Sequence, residues 1–326
     1  MMHNLDKFLF SDNKKVFLGD KVANSHSDTE ISILSRWRQE SSSFHIKTID
    51  KFKFEFENKH QFEIQRAKLI STNDERFESD FKRIQENISL GKIQKGVAYN
   101  SFKLDLKFIP ERSKLYNATS SPSHYVYGAW SDESGFLGVS PELLYTQKGN
   151  LAHTYAIAGT DKDATFKRDS IKPEHEFVVQ GITESLENLG LNYKINSKDS
   201  IKFHDYSHKL TEIEIDNHLL MDSNRFLEIH PSPAISGYPQ KSFKSIKSEL
   251  DFENIPESKY YAGLYKINSK SIDKTIVMIR NVFWDKDILE IHAGCGVVGN
   301  SEYSKELEES HLKIKSVLDI IGIELI

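Results

Sequence analysis

A single cysteine, Cys295, stands in a chain of 326 residues. One cysteine excludes an intramolecular disulfide framework and any cysteine-based zinc finger, and a reducing compartment is the simplest setting for it. Long apolar runs are also missing: no stretch approaches the ~18 residues that a membrane-spanning helix needs. The start carries Leu5, Phe8, Leu9 and Phe10, but charges interrupt them and leave no continuous apolar stretch of a leader. No signal peptide, no membrane and a cytoplasmic location are therefore expected. Basic blocks are absent too. Lys and Arg number 43 against 48 Asp and Glu, a net charge of −5, and the signs are mixed along the chain. That excludes the concentrated positive footprint of a nucleic-acid binder. There are no internal repeats, and no Pro/Gly/Ser linker is long enough to separate independent domains.

What is present is apolar material in regular patterns. Hydrophobic residues make up 38% of the chain, with 20 Phe and 13 Tyr, enough for a sizeable core and too much for a disordered chain. Residues 1 to about 70 read as short strand-like pieces with polar breaks such as Ser41-Ser42-Ser43. Lys51 to Phe56 alternates strictly, the pattern of a half-buried strand. Phe77, Phe81, Ile84 and Ile88 then form one helical stripe that ends at Gly91, a C-cap residue type. Strands are expected over 102–108, 125–130, 136–146, 209–215, 275–284 and 288–292. Helices are expected over 174–189, after Pro239, and over 303–321. Strands and helices interleave from end to end, which predicts one compact α/β (α+β) domain of mainly antiparallel sheets flanked by helices. Residues 1–70 are its strand-rich N-terminal part and 71–326 its larger remainder.

Several clusters carry candidate chemistry. Glu306, Glu309 and Lys313 are spaced three and four apart and share one helical face. A solvated charge ladder is one reading; a set of oxygen ligands for a hard divalent cation is the other. Gly294-Cys295-Gly296 reads as a Gly-x-Gly turn leaving a strand, with backbone N–H groups offered to an anion. Glu174-His175-Glu176 opens a helix, either to satisfy its dipole or to join a metal site. Gly159-Thr160 ends a strand and offers an amide and a hydroxyl to a carboxylate, or is an ordinary turn. Arg280 is expected to share a strand face with Ile276 and Met278, where a guanidinium needs an anionic partner. Lys95 and Glu142 read singly as surface charges. Together they make a base and an acid on opposite sides of a substrate, provided Lys95 is desolvated enough to lose its proton. Cys295 has no partner at catalytic spacing and reads as a small buried residue.

In chain order these segments resemble the chorismate-utilising enzymes, which include isochorismate synthase, salicylate synthase, anthranilate synthase component I and aminodeoxychorismate synthase component I. The resemblance runs through Gly91 to Val97, Phe136 to Leu144, Ala156-Ile157-Ala158-Gly159-Thr160, Glu174-His175, His208-x-x-Thr211 and His230 to Pro239. It continues through Tyr261-Ala262-Gly263, Ile279-Arg280, Ala293 to Val298 and Glu306-x-x-Glu309-Ser310-x-x-Lys313. It covers about residues 75 to 320 and implies Mg²⁺ as cofactor and chorismate as substrate. The N-terminal part looks shortened relative to typical members. An acidic residue frequent in the family three positions before the Glu of Glu-His is Ile171 here.

Within that resemblance the closest branch is isochorismate synthase. Lys95 stands where the ammonia-using members usually have Gln, Ala158 where aminodeoxychorismate synthases carry a nucleophilic Lys, and His-Pro-Ser-Pro-Ala is similar to the His-Pro-Thr-Pro-Ala of isochorismate synthases. The resemblance then implies Lys95 as general base on water attacking C2 and Glu142 as general acid on the departing C4 hydroxyl. It implies Glu174 and Glu309, with Glu306 close by, as metal ligands. Gly159 and Thr160 would cradle the ring carboxylate. Arg280, Tyr261, Gly294, Cys295, Gly296 and Lys313 would hold the enolpyruvyl carboxylate, while His208, Ala234 and Ile235 would line the pocket. Alternatives within the family are salicylate synthase and the anthranilate or aminodeoxychorismate type; outside it stands an inert binding module that keeps the fold. No amidotransferase subunit is expected, and a monomer is. Menaquinone and siderophore pathways are both compatible.

Overall fold

The protein is described from a computed structural model over residues 5–12, 15–53, 64–108, 124–148, 151–216, 223–254, 260–270 and 272–326. The N-terminal part supplies β1 (Lys7–Asp12), β2 (Lys15–Lys21), β3 (Thr29–Leu34), β4 (Ser41–Lys53) and β5 (Gln65–Thr72). Then come α1 (Asp74–Ser89), β6 (Lys95–Asp105), β7 (Tyr125–Trp130), β8 (Ser134–Ser140), β9 (Leu143–Lys148) and β10 (Leu151–Asp161). Helix α2 (Ile171–Asn188) leads to β11 (Tyr193–Phe203) and β12 (Tyr206–Asp216), followed by the short α3 (Gln240–Ile246). The chain finishes with β13 (Leu264–Ser269), β14 (Asp273–Val277), β15 (Asn281–Asp285), β16 (Ile288–Val298), α4 (Tyr303–Ile321) and β17 (Ile323–Leu325). None of the described helices is long and apolar enough to cross a membrane.

Pairing links all these strands into one path: β11-β12-β10-β9-β14-β13-β3-β4-β2-β1-β7-β8-β15-β16-β6-β5-β17. Among the described residues only β5 with β17 is parallel. Antiparallel pairing matches the alternating burial of β3 and β12. The main core, with Phe8, Phe44, Tyr127, Phe136, Tyr265 and Ile276, lies where the path doubles back. Tyr265 ties that fold-back together by donating its hydroxyl to the carbonyls of Leu9 and Gly128. A second cluster packs Ile314, Val317, Leu318 and Ile321 of α4 against Leu104, Leu137 and Ile291. The stripe of α1 is buried as its spacing predicts, Phe77 and Ile84 completely, and the left-handed Gly91 follows its last turn.

Several local expectations are corrected. Ser41-Ser42-Ser43 is no break; it opens β4 and pairs with Ser32, Ile33 and Leu34, with Ser32 Oγ 2.9 Å from Ser43 Oγ. Of the alternating run Lys51 to Phe56, β4 takes in the first three residues, and Phe54 to Phe56 lie outside the described residues. Helix α2 begins at Ile171, three residues earlier than expected, and Glu174 stands in its first turn; Pro173 fits there because an early helical position lacks an N–H partner anyway. The expected strand over 275–284 is two strands, β14 and β15, parted at Met278 to Arg280, where Arg280 takes φ +55°. Arg280 therefore shares no strand face with Ile276 and Met278. The Gly294 to Gly296 stretch is no turn either. It lies inside β16 and pairs with Tyr99, Ala98 and Val97 of β6.

Candidate active site

Two strand breaks side by side bring the first functional groups together. β8 passes into β9 at Pro141-Glu142, and β14 passes into β15 at Met278 to Arg280. β8 pairs with β15 and β9 with β14, so the two breaks adjoin. They are stitched by Val277 N–H donating to Glu142 O (3.1 Å) and Val139 N–H donating to Arg280 O (3.0 Å). Glu142 and Arg280 thus leave the sheet at one place and face one cavity. Burial pushes the Glu142 carboxyl up to about 7, although the charges of Lys95, Arg280 and Lys313 pull the other way.

Opposite them, β16 and β6 form a floor. The sheet period sends Gly294 and Gly296 to the cavity side and Cys295 to the packed cluster with Phe77, Ile84 and Ala98. A Cβ on Gly296 would run into the Glu174 carboxylate, so this glycine makes the room that Glu174 occupies. At Gly159, φ +76° and a register shift between Ala158 and Thr160 form a bulge against Ile171 of α2. The bulge turns Thr160 toward His208. Arg280 Nη2 donates to His208 Nε2 at 2.8 Å, which leaves Nδ1 as the protonated nitrogen, 3.2 Å from Thr160 Oγ1. Burial, and then the charges of Arg280 and Lys313, hold His208 well below its usual range, so it is neutral. Thr160 therefore accepts from His208 and keeps its own proton to donate.

Lys95 is completely buried at the start of β6. Its backbone pairs with Tyr238, and its Nζ donates to the Pro233 carbonyl at 2.6 Å. The segment His230 to Pro239 thus holds the amine from both ends. Gly181 of α2 lets Pro233 and Tyr238 approach. Desolvation lowers Lys95 to about 8, with Glu174 the strongest opposing charge and Glu142 a weaker one. The amine is accordingly within electrostatic reach of both the acid at the strand break and the carboxylates of α2 and α4.

Those carboxylates are not a surface ladder. Glu306 is 3%, Glu309 8% and Lys313 6% exposed. Lys313 Nζ donates to Glu309 Oε1 (2.8 Å) and to the Gly294 carbonyl (2.7 Å). Arg168 Nη2 donates to Glu309 Oε2 (2.7 Å). Burial raises Glu309, but Lys313 and Arg168 outweigh it and keep this carboxylate below its normal range. Glu306 is pushed up to about 8 by burial and then by Glu309 and Glu174, and Glu174 is raised by burial against the pull of Lys95. Cys295 Sγ joins ligand atoms of Glu306 and Glu309 within 4.8 Å, but burial holds it well above its usual range, as a neutral thiol. Crowded, desolvated carboxylates beside a protonated sulfur fit a hard divalent cation, which takes oxygen and relieves their repulsion.

Of the residues singled out from the sequence, Glu142, Gly159, Thr160, Glu174, His208, Ala234, Ile235, Tyr261, Arg280, Gly294, Gly296 and Lys313 line this cavity. Lys95, Cys295, Glu306 and Glu309 are not among the lining residues; each is within electrostatic reach of Glu174 or Lys313, which are. Sequence reasoning missed Arg168, which sits in a polar loop with no motif to mark it. It also missed Arg36, buried from the N-terminal part. Arg36 donates to the Tyr261 carbonyl (3.0 Å), pairs with Glu253 (2.7 Å) and lies over the Tyr99 ring (4.7 Å). Tyr99 in turn donates its hydroxyl to the Ile235 carbonyl. The signal for Arg36 was an arginine between apolar Leu34 and Trp37, legible only once its partners are known.

Residues 8–322 match the family model described as "Chorismate binding enzyme". Among curated proteins, the chain is similar to anthranilate synthase component 1 of Saccharolobus solfataricus, 26% identical over 219 residues, which cover 62% of this chain and 52% of that protein. It is also similar to isochorismate synthase MenF of Haemophilus influenzae, 25% identical over 214 residues, 62% of this chain and 49% of the relative. The chain thus spans about half the length of these relatives. Among solved structures, a Bacillus anthracis chain described as a 2,3-dihydroxybenzoate-specific isochorismate synthase superposes with a TM-score of 0.80. The superposition covers 98% of this chain and 97% of that one at 16% identity, a likeness of fold. With residues 8–322 inside the family model, nearly the whole length, the chain belongs to the chorismate-binding enzyme family.

Proposed function

We propose that this protein is an isochorismate synthase, which converts chorismate to isochorismate with Mg²⁺ bound. The observation that carries the reading is a fully buried amine, Lys95, within electrostatic reach of a buried carboxyl, Glu142, that lines the cavity; desolvation lowers the first to about 8 and raises the second to about 7. Lys95 takes a proton from the water that attacks C2, and Glu142 delivers a proton to the hydroxyl leaving C4. One C–O bond forms, one breaks, and the ring double bonds shift between them. Water enters and water leaves, so no oxidant or amidotransferase is needed. Lys95 finishes protonated and Glu142 ionised, and proton exchange with solvent resets both.

A Mg²⁺ ion would be held by Glu174, Glu306 and Glu309, and when bound it supplies Lewis-acid stabilisation to the ring carboxylate. Thr160, with its proton free, and the Gly159 bulge orient the same carboxylate. Arg280 and Lys313 give the second carboxylate its countercharges, and Arg36 fixes Tyr261 from behind through the Tyr261 carbonyl. The cavity has about 50 Å³ of free room, so side chains withdraw as the substrate enters.

Incubation with chorismate and Mg²⁺, with products separated by chromatography, tests the reading. Isochorismate as the accumulating product is expected. Salicylate plus pyruvate would replace it with the salicylate synthase reading, and an amino product formed only with ammonium salts at high pH would replace it with the anthranilate type.

A further inference from the structure

Glu309 is engaged at both oxygens. Lys313 holds Oε1 from one turn along the same helix and is anchored again on the Gly294 carbonyl. Arg168 holds Oε2 and also donates to the Thr160 carbonyl. The two cations differ in freedom. Lys313 is buried in α4, whereas the Arg168 side chain is 29% exposed. Arg168 belongs to the connection between β10 and α2, where Lys162 to Thr165 are exposed and Ala164 and Phe166 take positive φ. Within the described residues this connection is pinned near its start by Asp161, which accepts from the Phe166 N–H and Thr165 Oγ1. The guanidinium also feels the charges of Glu306 and Glu174. Its one carboxylate contact among the described residues is Glu309, and the other two carboxylates act on it only through their charge.

A guanidinium and a dication compete when they approach the same lone pair of one carboxylate oxygen. Two positive charges within ion-pair distance of one oxygen repel strongly in a desolvated site. We infer that Arg168 is an internal competitor of the divalent cation: it occupies Glu309 Oε2 until the metal arrives, then swings outward and releases the Thr160 carbonyl. The metal site and the carboxylate subsite at Gly159 and Thr160 are thereby linked through one side chain. Metal loading then also remodels the connection over residues 162–170. This inference rests on the metal site of the proposed function, and it concerns affinity and loop order rather than the identity of the product.

The test is metal binding by the full chain, with Mg²⁺ in titration calorimetry and Mn²⁺ in electron paramagnetic resonance, for the wild type, Arg168→Gln and Arg168→Lys. Arg168→Gln removes the competing charge and is expected to tighten binding by about 5- to 100-fold, the usual span for coupling between mutually exclusive groups. Arg168→Lys keeps the charge and is expected to stay near wild type. Hydrogen exchange over residues 162–170 of the wild type is expected to speed up on adding Mg²⁺. Equal or weaker metal affinity in Arg168→Gln would overturn the competitor role while leaving the metal site standing. Absence of binding in all three proteins would overturn both, whatever the product assay gives.

Discussion

On one side of α4, Glu306, Glu309 and Lys313 turn inward toward Cys295 and the small cavity. On another, Ile314 and Leu318 help line an apolar cavity of about 570 Å³ with Phe102, Ile323 and Leu325. The second space is more than ten times the size of the first, about 50 Å³. Size and apolarity are the usual marks of a ligand site, yet here the chemistry converges on the smaller one. Around it stand an amine, four carboxyls and two further cations, all withdrawn from water. Around the larger one the titratable groups, His311, Lys315, Asp319 and Glu324, stand at the rim of a hydrophobic wall. One helix thus divides its labour by face. One face contributes stability through apolar burial; the other gives stability up by holding charges where they are poorly solvated.

Substitutions on the two sides should therefore separate activity from stability. The largest effect is expected from Lys95→Ala and Glu142→Gln, each lowering kcat by about 10²- to 10⁴-fold, the usual contribution of a positioned base or acid. Steady-state kinetics on chorismate checks this, and loss confined to KM would remove both from the chemistry. Leu318→Ala, on the apolar side, should cost about 2–5 kcal/mol in denaturant unfolding while leaving Mg²⁺ affinity unchanged.

Glu142→Gln should move stability the other way. The folded carboxyl binds its proton more tightly than the unfolded one. Its cost to the fold is therefore absent below about 4.5, grows as pH rises and is complete above about 7. The variant is expected to gain about 3 kcal/mol in unfolding free energy at pH 8 and nothing at pH 4. The smallest effect is on pH dependence. Lys95 must be neutral and Glu142 protonated, so wild-type kcat/KM should be flat between about 7 and 8 and fall about tenfold per pH unit on either side.

The two sides also differed in how far the sequence disclosed them. The stripe of α1 and the E-x-x-E-x-x-x-K spacing of α4 are local, because helical neighbours lie three and four residues apart. They gave the helices and the carboxylate set directly. The order of segments gave the family and nearly all of the cavity lining. What stayed hidden depends on strand pairing across the chain. Ile276 to Phe283 looks like one apolar strand, and only the adjoining break at Glu142 accounts for the left-handed Arg280. Gly294 and Gly296 look like a turn until β6 is seen to pair along the whole stretch, leaving the glycines as space for Tyr99 and Glu174. Arg168 and Arg36 acquire meaning only from partners 141 and 225 residues away.

In the proposed reaction Lys95 activates water toward C2 while Glu142 releases the C4 hydroxyl. The most direct measurement is turnover of chorismate in ¹⁸O-enriched water, with mass spectrometry of the product. Isochorismate carrying one solvent oxygen, at C2, is expected from the wild type, and from Lys95→Ala the same product at a rate lowered by about 10²- to 10⁴-fold. An unlabelled product, or the same labelled product at an undiminished rate from Lys95→Ala, would contradict these roles.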